Sequence, residues 1–196
     1  MSNTLRKFLF LVASLWLVSA SGFASVITFD NLPAAGGVIP DGYAQLNWFN
    51  LDYLNVMDSA IGAADREGMV SPPFVAYSAL GASSPSFTST HPFTLVGGWF
   101  TSDSSNDMPL QVTGLLNGVA KDSVSVALNS NEPLHVMFNW SGIDQVEFSF
   151  AGTPGAGFIL DNLTITRVSP QTPEPASLLL LGSGLAMGIA SWRRRG

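Results

Sequence analysis

The sequence predicts an all-β protein, an antiparallel β-sandwich of the jelly-roll type. Between residues 26 and 168, short apolar or alternating runs are separated by Gly, Pro, Asn, Asp and Ser, and no stretch of helical length has a period of 3.6. Alternation is sharpest in residues 124–128, 134–138 and 146–150, which would each turn one face to a core. Because a single sheet would leave that face in water, we expect two sheets packed together.

Eight segments carry the strand pattern. They are residues 26–29, 74–77, 93–101, 110–116, 123–128, 134–140, 145–150 and 157–166. The first half is less regular, and a short helix is expected within residues 54–66. The tripeptide Asp-Asn-Leu occurs at residues 30–32 and again at 161–163, so the two Asp-Asn pairs would meet if the first and last strands were neighbours.

Residues 1–24 have the composition of a secretory signal peptide. Two basic residues, an apolar run and small residues follow one another, namely Arg6, Lys7, residues 8–18, Gly22 and Ala24. The apolar run is shorter than the roughly 20 residues that a membrane span needs, which favours cleavage over permanent anchoring. We place the cut between Ala24 and Ser25, with Ala20 as the alternative, so that residues 25–168 form the exported domain.

The exported part is strongly acidic. Residues 25–172 hold thirteen acidic side chains and three basic ones, a net charge of −10, whereas the whole chain has −6. Nucleic acids and anionic lipids are bound through basic patches, so neither is expected as a partner of this domain. The chain has no cysteine, and its stability must therefore come from packing and not from disulfides.

The C-terminal segment has three parts in a fixed order. After a linker at residues 169–172 come Pro173, Glu174 and Pro175, then an apolar stretch at 176–192, then Arg193, Arg194 and Arg195. The 17 apolar residues would form a transmembrane helix about 25 Å long, with the arginines on the cytoplasmic side. An ordinary single-pass anchor with a proline-rich stalk is the alternative interpretation.

This tripartite segment, residues 173–196, resembles the PEP-CTERM sorting signal of exported bacterial proteins. The resemblance implies that exosortase recognises the Pro-Glu-Pro motif and removes the tail, after signal peptidase has acted at the other end. It also implies an inner-membrane-anchored precursor that reaches the cell surface or extracellular matrix, in bacteria that make exopolysaccharide and biofilm. The same segment is also known as an ice-binding-protein C-terminal domain, a label for the tail that does not establish ice binding.

Candidate catalytic groups are few in the exported domain. His91 and His135 lack metal-ligand spacing, and no nucleophile-elbow or phosphate-loop pattern is present. Asp144 and Glu147 are the nearest pair of carboxylates, but their spacing in a strand would place them on opposite faces. We therefore predict a noncatalytic protein associated with exopolysaccharide. The alternatives are a carbohydrate-binding module, an ice- or surface-adhesion protein and a cryptic glycoside hydrolase.

Two kinds of binding site remain candidates, and no other cofactor is predicted. A structural calcium ion could be held by Asp30, Asp161 and Asn162 where the first and last strands meet, since calcium prefers carboxylate and amide oxygens. The loop residues Asp103, Asn106 and Asp107 form a second candidate. A sugar could stack on an aromatic ring. The aromatic candidates are Tyr43, Trp48, Trp99 and Trp140, and we favour Trp48 and Tyr43 because they lie in a Gly- and Pro-rich loop region.

Overall fold

The computed structural model describes residues 22–33, 36–58, 63–79, 84–150 and 156–168, and this part of the chain is an antiparallel all-β domain. Its strands are β1 (Gly22–Ile27), β2 (Gly37–Val38), β3 (Asn47–Phe49), β4 (Leu51–Asn55), β5 (Phe74–Ser78), β6 (Ser86–Ser102), β7 (Met108–Leu116), β8 (Val119–Leu128), β9 (Leu134–Phe150) and β10 (Phe158–Val168). A short helix, α1, spans Ala63–Glu67, and a helical turn spans Tyr43–Gln45. The predicted fold class is confirmed.

Hydrogen bonding connects the strands in the order β2-β4-β5-β10-β6-β9-β7-β8, with β1 on β10 and β3 on β6. The first and last strands are therefore neighbours, which is the condition under which the two Asp-Asn pairs were expected to meet. The strand β10 is central, since it pairs with β5 through Ile159 and Leu160 and with β6 along most of its length.

The two longest strands join both halves of the sandwich. β6 and β9 have 17 residues each and change partners along their length. The beginning of β6 pairs with β3 and with the end of β9, whereas its second half pairs with β10 and the beginning of β9. A register shift between Leu95 and Gly97 interrupts the β6–β9 ladder. Such bulges let one strand bend and serve two layers.

The main core fills the space that these strands enclose. Phenylalanines from both halves meet there at 2% exposure or less, namely Phe87, Phe93, Phe100, Phe148 and Phe158. Their rings lie 4.9 to 6.2 Å apart in tilted pairs, such as Phe148 with Phe158 at 4.9 Å and Phe100 with Phe158 at 6.2 Å. The alternation seen in the sequence thus follows from burial of one face of each strand.

A second, smaller cluster lies on the opposite face of the sheet, which we call the outer face. Val56, Val75 and Ile159 are buried there, with Met69 packed against them. Gly68 belongs to the covering segment, and a Cβ at this position would lie 2.7 Å from the Ile159 side chain. The segment that contains α1 therefore covers the outer face of β5 and β10 at close range.

Several element bounds differ from the sequence prediction. The expected strand at 93–101 begins at Ser86, so His91 and Pro92 lie inside β6. The strands expected at 134–140 and 145–150 are one strand, with Gly142 at a φ of 67° between them. The short helix expected within residues 54–66 corresponds to α1, which lies at the end of that range and extends one residue beyond it, to Glu67.

The processing segments mostly fall outside the described residues. The apolar part of the predicted signal peptide and the predicted sorting helix are not among them, whereas Ala24 and Ser25 lie in β1. Within the described ranges, no helix is both long and apolar enough to cross a bilayer.

Candidate functional site

Asp161 is buried in the middle of the fold and organises the segment above it. Its side chain is 0% exposed. Oδ2 accepts hydrogen bonds from the backbone N–H groups of Val70 and Ser71 at 2.7 Å each, and Oδ1 accepts from Asn162 N at 2.7 Å and Ser71 Oγ at 3.2 Å. Burial raises the pKa of this carboxyl, and the accepted hydrogen bonds partly offset that effect.

The other two predicted calcium ligands serve the same segment. Asp30 Oδ1 accepts a hydrogen bond from Phe74 N at 3.1 Å, so the two carboxylates hold the two ends of residues 70–74. Asn162 Oδ1 accepts from Ser71 Oγ at 2.9 Å. Among the described residues, no three acidic or histidine side chains converge as metal ligands. Calcium at these residues stays a prediction.

The second calcium candidate lies in the loop after β6, which is bonded to two other loops. Asp103 Oδ1 accepts a hydrogen bond from Gly157 N at 2.7 Å. Asn106 Oδ1 instead accepts from Ser130 N at 3.1 Å and Ser130 Oγ at 2.9 Å. Asp107 lies in a left-handed turn, with a φ of 59°. These hydrogen bonds give the loop after β6 a structural role in joining its neighbours.

The two aromatic residues that the sequence favoured for sugar binding belong to the core region. Trp48 is only 5% exposed, its Nε1 donates to Tyr43 O at 3.0 Å, and its ring centroid lies 5.2 Å from that of Phe87 and 5.7 Å from that of Phe29. Tyr43 is half-buried and donates its hydroxyl to Asn31 Oδ1 at 2.7 Å. The Trp48 indole therefore has no free face on which a sugar could stack.

The candidate acid and base residues are also engaged in local hydrogen bonds. Both carboxylate oxygens of Asp144 lie within 3.1 Å of Asn117 N, and Glu147 Oε1 accepts from Gln145 Nε2 at 2.7 Å. His91 is exposed and bonds Thr90 Oγ1 at 3.0 Å. In the described part of the chain, each of these groups has a local hydrogen-bond partner.

A different aromatic pair stands on the outer face. Trp99 of β6 is half-buried, His135 of β9 is exposed, and their rings stack with centroids 4.6 Å apart and planes at 27°. The residues on either side of Trp99, Gly98 and Phe100, are buried on the core side. The indole therefore points away from the core, because successive side chains of a strand alternate between faces.

Gly97 lies beside this pair and is closely covered by β9. A Cβ at Gly97 would lie 2.8 Å from Val136 O, 3.1 Å from Met137 Sδ and 3.5 Å from His135 Nε2. Met137 is 55% exposed. The side chains of His135 and Met137 and the backbone of β9 thus close over Gly97, where a Cβ would not fit without a shift.

Hydroxyl groups flank Gly97 on the side of β10. Thr164 is the partner of Gly97 in the β6–β10 ladder, and Thr166 is the partner of Thr94. The neighbours of Thr164, Leu163 and Ile165, are fully buried in the core, so the threonines face outward. We call this surface the Trp99 face; it consists of Thr94, Gly97, Trp99, His135, Met137, Thr164 and Thr166.

Two features prevented the Trp99 face from being predicted from the sequence. The bulge after Leu95 changes the alternation of β6, so that inward and outward positions cannot be counted across Gly97 and Gly98. The partner His135 is 36 positions further along the chain, and only the strand register brings it opposite Trp99. The sequence did contain one signal, the apolar residues Phe93, Leu95 and Phe100. If Phe100 faces the core, its neighbour Trp99 must face the other way.

Comparisons with known structures give distant similarities. TmCBM61, solved in complex with β-1,4-galactotriose, has 12% sequence identity and a TM-score of 0.37, and the match covers 67% of this chain and 98% of that one. The arabinose-bound α-L-arabinofuranosidase MgGH51 has 12% identity and a TM-score of 0.36, covering 75% of this chain and 25% of that one. At these TM-scores the similarities carry no argument about ligand or mechanism.

Comparison with protein families gives a clearer result for the C-terminal segment. A search of curated proteins finds no match, whereas the family model described as the PEP-CTERM protein-sorting motif matches residues 171–195. The matched range contains Pro173, Glu174 and Pro175 and the arginines at 193–195. The chain therefore carries the PEP-CTERM protein-sorting motif, which implies an exported surface protein that exosortase processes.

Proposed function

We propose that this protein is a noncatalytic component of the cell surface or extracellular matrix, associated with the cell's own exopolysaccharide once exosortase has removed its tail. The sorting motif at residues 171–195 is the observation that carries this proposal. Its resemblance to the signal found in exopolysaccharide-producing bacteria supports the matrix location. Signal peptidase and exosortase are the partners that processing requires.

The hydrogen bonds of the carboxylates support a noncatalytic role. A glycoside hydrolase needs two carboxyl groups some 5 to 9.5 Å apart that can reach the same glycosidic bond. Asp161 and Asp103 instead accept backbone N–H groups from distant segments, and Asp144 does the same for Asn117. The hydrogen bonds of these carboxylates hold loops in place.

The negative net charge of the domain also fits a location outside the cell. A net charge of −10 over residues 25–172 favours solubility and disfavours non-specific attachment to anionic surfaces. Retention at the surface must then come from a specific contact or from the processed C-terminus.

The test is the replacement of Pro173, Glu174 and Pro175 by alanine in the native host, with Ser169→Ala and Pro170→Ala together as the matched control. We expect the motif variant to keep its tail and remain in the membrane fraction, while the control is processed like the wild type. Immunoblots of membrane, matrix and medium measure both the size and the location of the protein. Normal processing of the motif variant would overturn the proposal.

A further inference from the structure

We propose that the Trp99 face binds an uncharged polysaccharide, with the stacked rings of Trp99 and His135 and the thioether of Met137 contacting the apolar face of a pyranose. The inference rests on the proposed function, because it names the surface through which a matrix protein would hold its polysaccharide. It concerns residues other than Trp48 and Tyr43, the two that the sequence favoured.

The exposure of these side chains requires an explanation. The aromatic residues of the main core are buried, with Trp48 at 5% exposure and Phe87, Phe100 and Phe158 at 0%. Trp99 nevertheless stands on the outer face beside Met137, which is 55% exposed. Trp99, His135 and Met137 lie together with polar residues around them, and an exposed apolar patch with a polar rim is a typical mark of a binding surface.

The polar rim has the chemistry that a sugar needs. A pyranose offers a patch of C–H groups on one face of its ring and hydroxyl groups around its edge, so its sites combine an aromatic surface with a few well-placed hydrogen-bonding groups. Here the hydroxyls of Thr94, Thr164 and Thr166 lie on the same face as the ring pair. The absence of a Cβ at Gly97 lets the side chains of His135 and Met137 approach β6 closely, so that they form one surface with Trp99.

The site is built on the middle of the sheet. Trp99 lies in β6, between β10 and β9, and its partner in β10 is Asp161. Four hydrogen bonds fix the Asp161 carboxylate. The stack with His135 further restricts the indole, which lowers the entropy that would be lost when a ligand binds.

The charges of the domain select the class of polysaccharide. All three basic side chains of residues 25–172 bond backbone carbonyls: Arg167 bonds Ala44 O, Lys121 bonds Ser141 O and Gly142 O, and Arg66 bonds Val56 O and Asp58 O. The same range of residues holds thirteen acidic side chains. The negative net charge would repel a polymer of uronate or sulfated sugars, and the basic side chains that could bind such a polymer are bonded to backbone carbonyls. The ligand is therefore uncharged.

The experiment is affinity gel electrophoresis of the processed protein from native cells. The host's exopolysaccharide is separated by anion exchange into an uncharged and an acidic fraction, and each is cast into the gel. The variants are Trp99→Ala and Trp99→Phe, with Phe49→Ala as the matched control because Phe49 is an exposed aromatic residue on β3 outside the Trp99 face. Thermal unfolding of each variant checks that the domain is folded.

We expect the uncharged fraction to retard the wild type, Trp99→Phe and Phe49→Ala, and Trp99→Ala to bind about tenfold more weakly at unchanged thermal stability. Retardation by the acidic fraction alone, equal retardation of wild type and folded Trp99→Ala, or no retardation of the wild type would each overturn the inference. These failures are distinct from failure of the proposed function. A processed matrix protein that binds neither fraction leaves the sorting proposal intact, whereas an unprocessed membrane protein contradicts that proposal whatever it binds.

Discussion

Replacement of Asp161 by alanine should destabilise the domain strongly. The change removes the acceptor of four hydrogen bonds and leaves the N–H groups of Val70 and Ser71 without a partner in a part-buried place. An unsatisfied buried donor costs about 1 to 3 kcal/mol, and relief of the buried carboxylate offsets part of the total. We therefore expect a loss of about 3 kcal/mol, or roughly 6 to 12 °C in Tm for a domain of this size.

Thermal and urea unfolding, followed by circular dichroism, measure this loss. The matched control is Asp144→Ala, whose carboxylate accepts a hydrogen bond from Asn117 N at an exposed site. The control should lose less than about 1 kcal/mol, since water can replace an exposed acceptor. A Tm of Asp161→Ala within about 2 °C of the wild type would refute the structural role that we assign to this carboxylate.

Three further predictions follow from the same contacts. Burial raises the pKa of Asp161 above 3.8, so the folded state binds the carboxyl proton more tightly than the unfolded state does. The stability of the wild type relative to Asp161→Asn should therefore fall as pH rises from about 3 to 6. Urea titrations that show this difference rising with pH would contradict the assigned direction. Trp48→Ala should lose about 3 to 5 kcal/mol of stability, as expected for a core aromatic residue, and a variant as stable as the wild type would show that the indole is not packed. Neither calcium nor a chelator should change the Tm, because the carboxylate oxygens of Asp30 and Asp161 already accept hydrogen bonds from backbone N–H groups. A clear rise of the Tm with calcium would support the calcium site that the sequence predicted.

The strands of the second half could be predicted because their alternation reflects burial of one face. β7, β8 and β10 begin and end within a few residues of the predicted bounds. The short strands β2, β3 and β4 were missed, since two to five residues carry too little periodicity to be recognised. The continuity of β9 was hidden by Gly142, whose positive φ forms a bend inside a strand and not a turn between two.

The candidate site could be predicted only in part. The first and last strands are neighbours, which is the condition under which the sequence placed the two Asp-Asn pairs together. The partners of the two aspartates could not be derived, because Val70 and Ser71 lie about 90 positions away from Asp161 and donate backbone N–H groups, which have no sequence signature. Trp99 was recognised as a candidate, but its exposure depends on the β6 bulge and on the register with His135.

The intact mass of the protein recovered from native cells, measured separately for envelope, matrix and medium, tests the central claim most directly. The account predicts a species in the surface or matrix fraction that starts near Ser25 and ends near residues 173–175. A species that retains Arg193, Arg194 and Arg195 and is found only in the membrane fraction would contradict it, and would make this protein a permanently anchored domain.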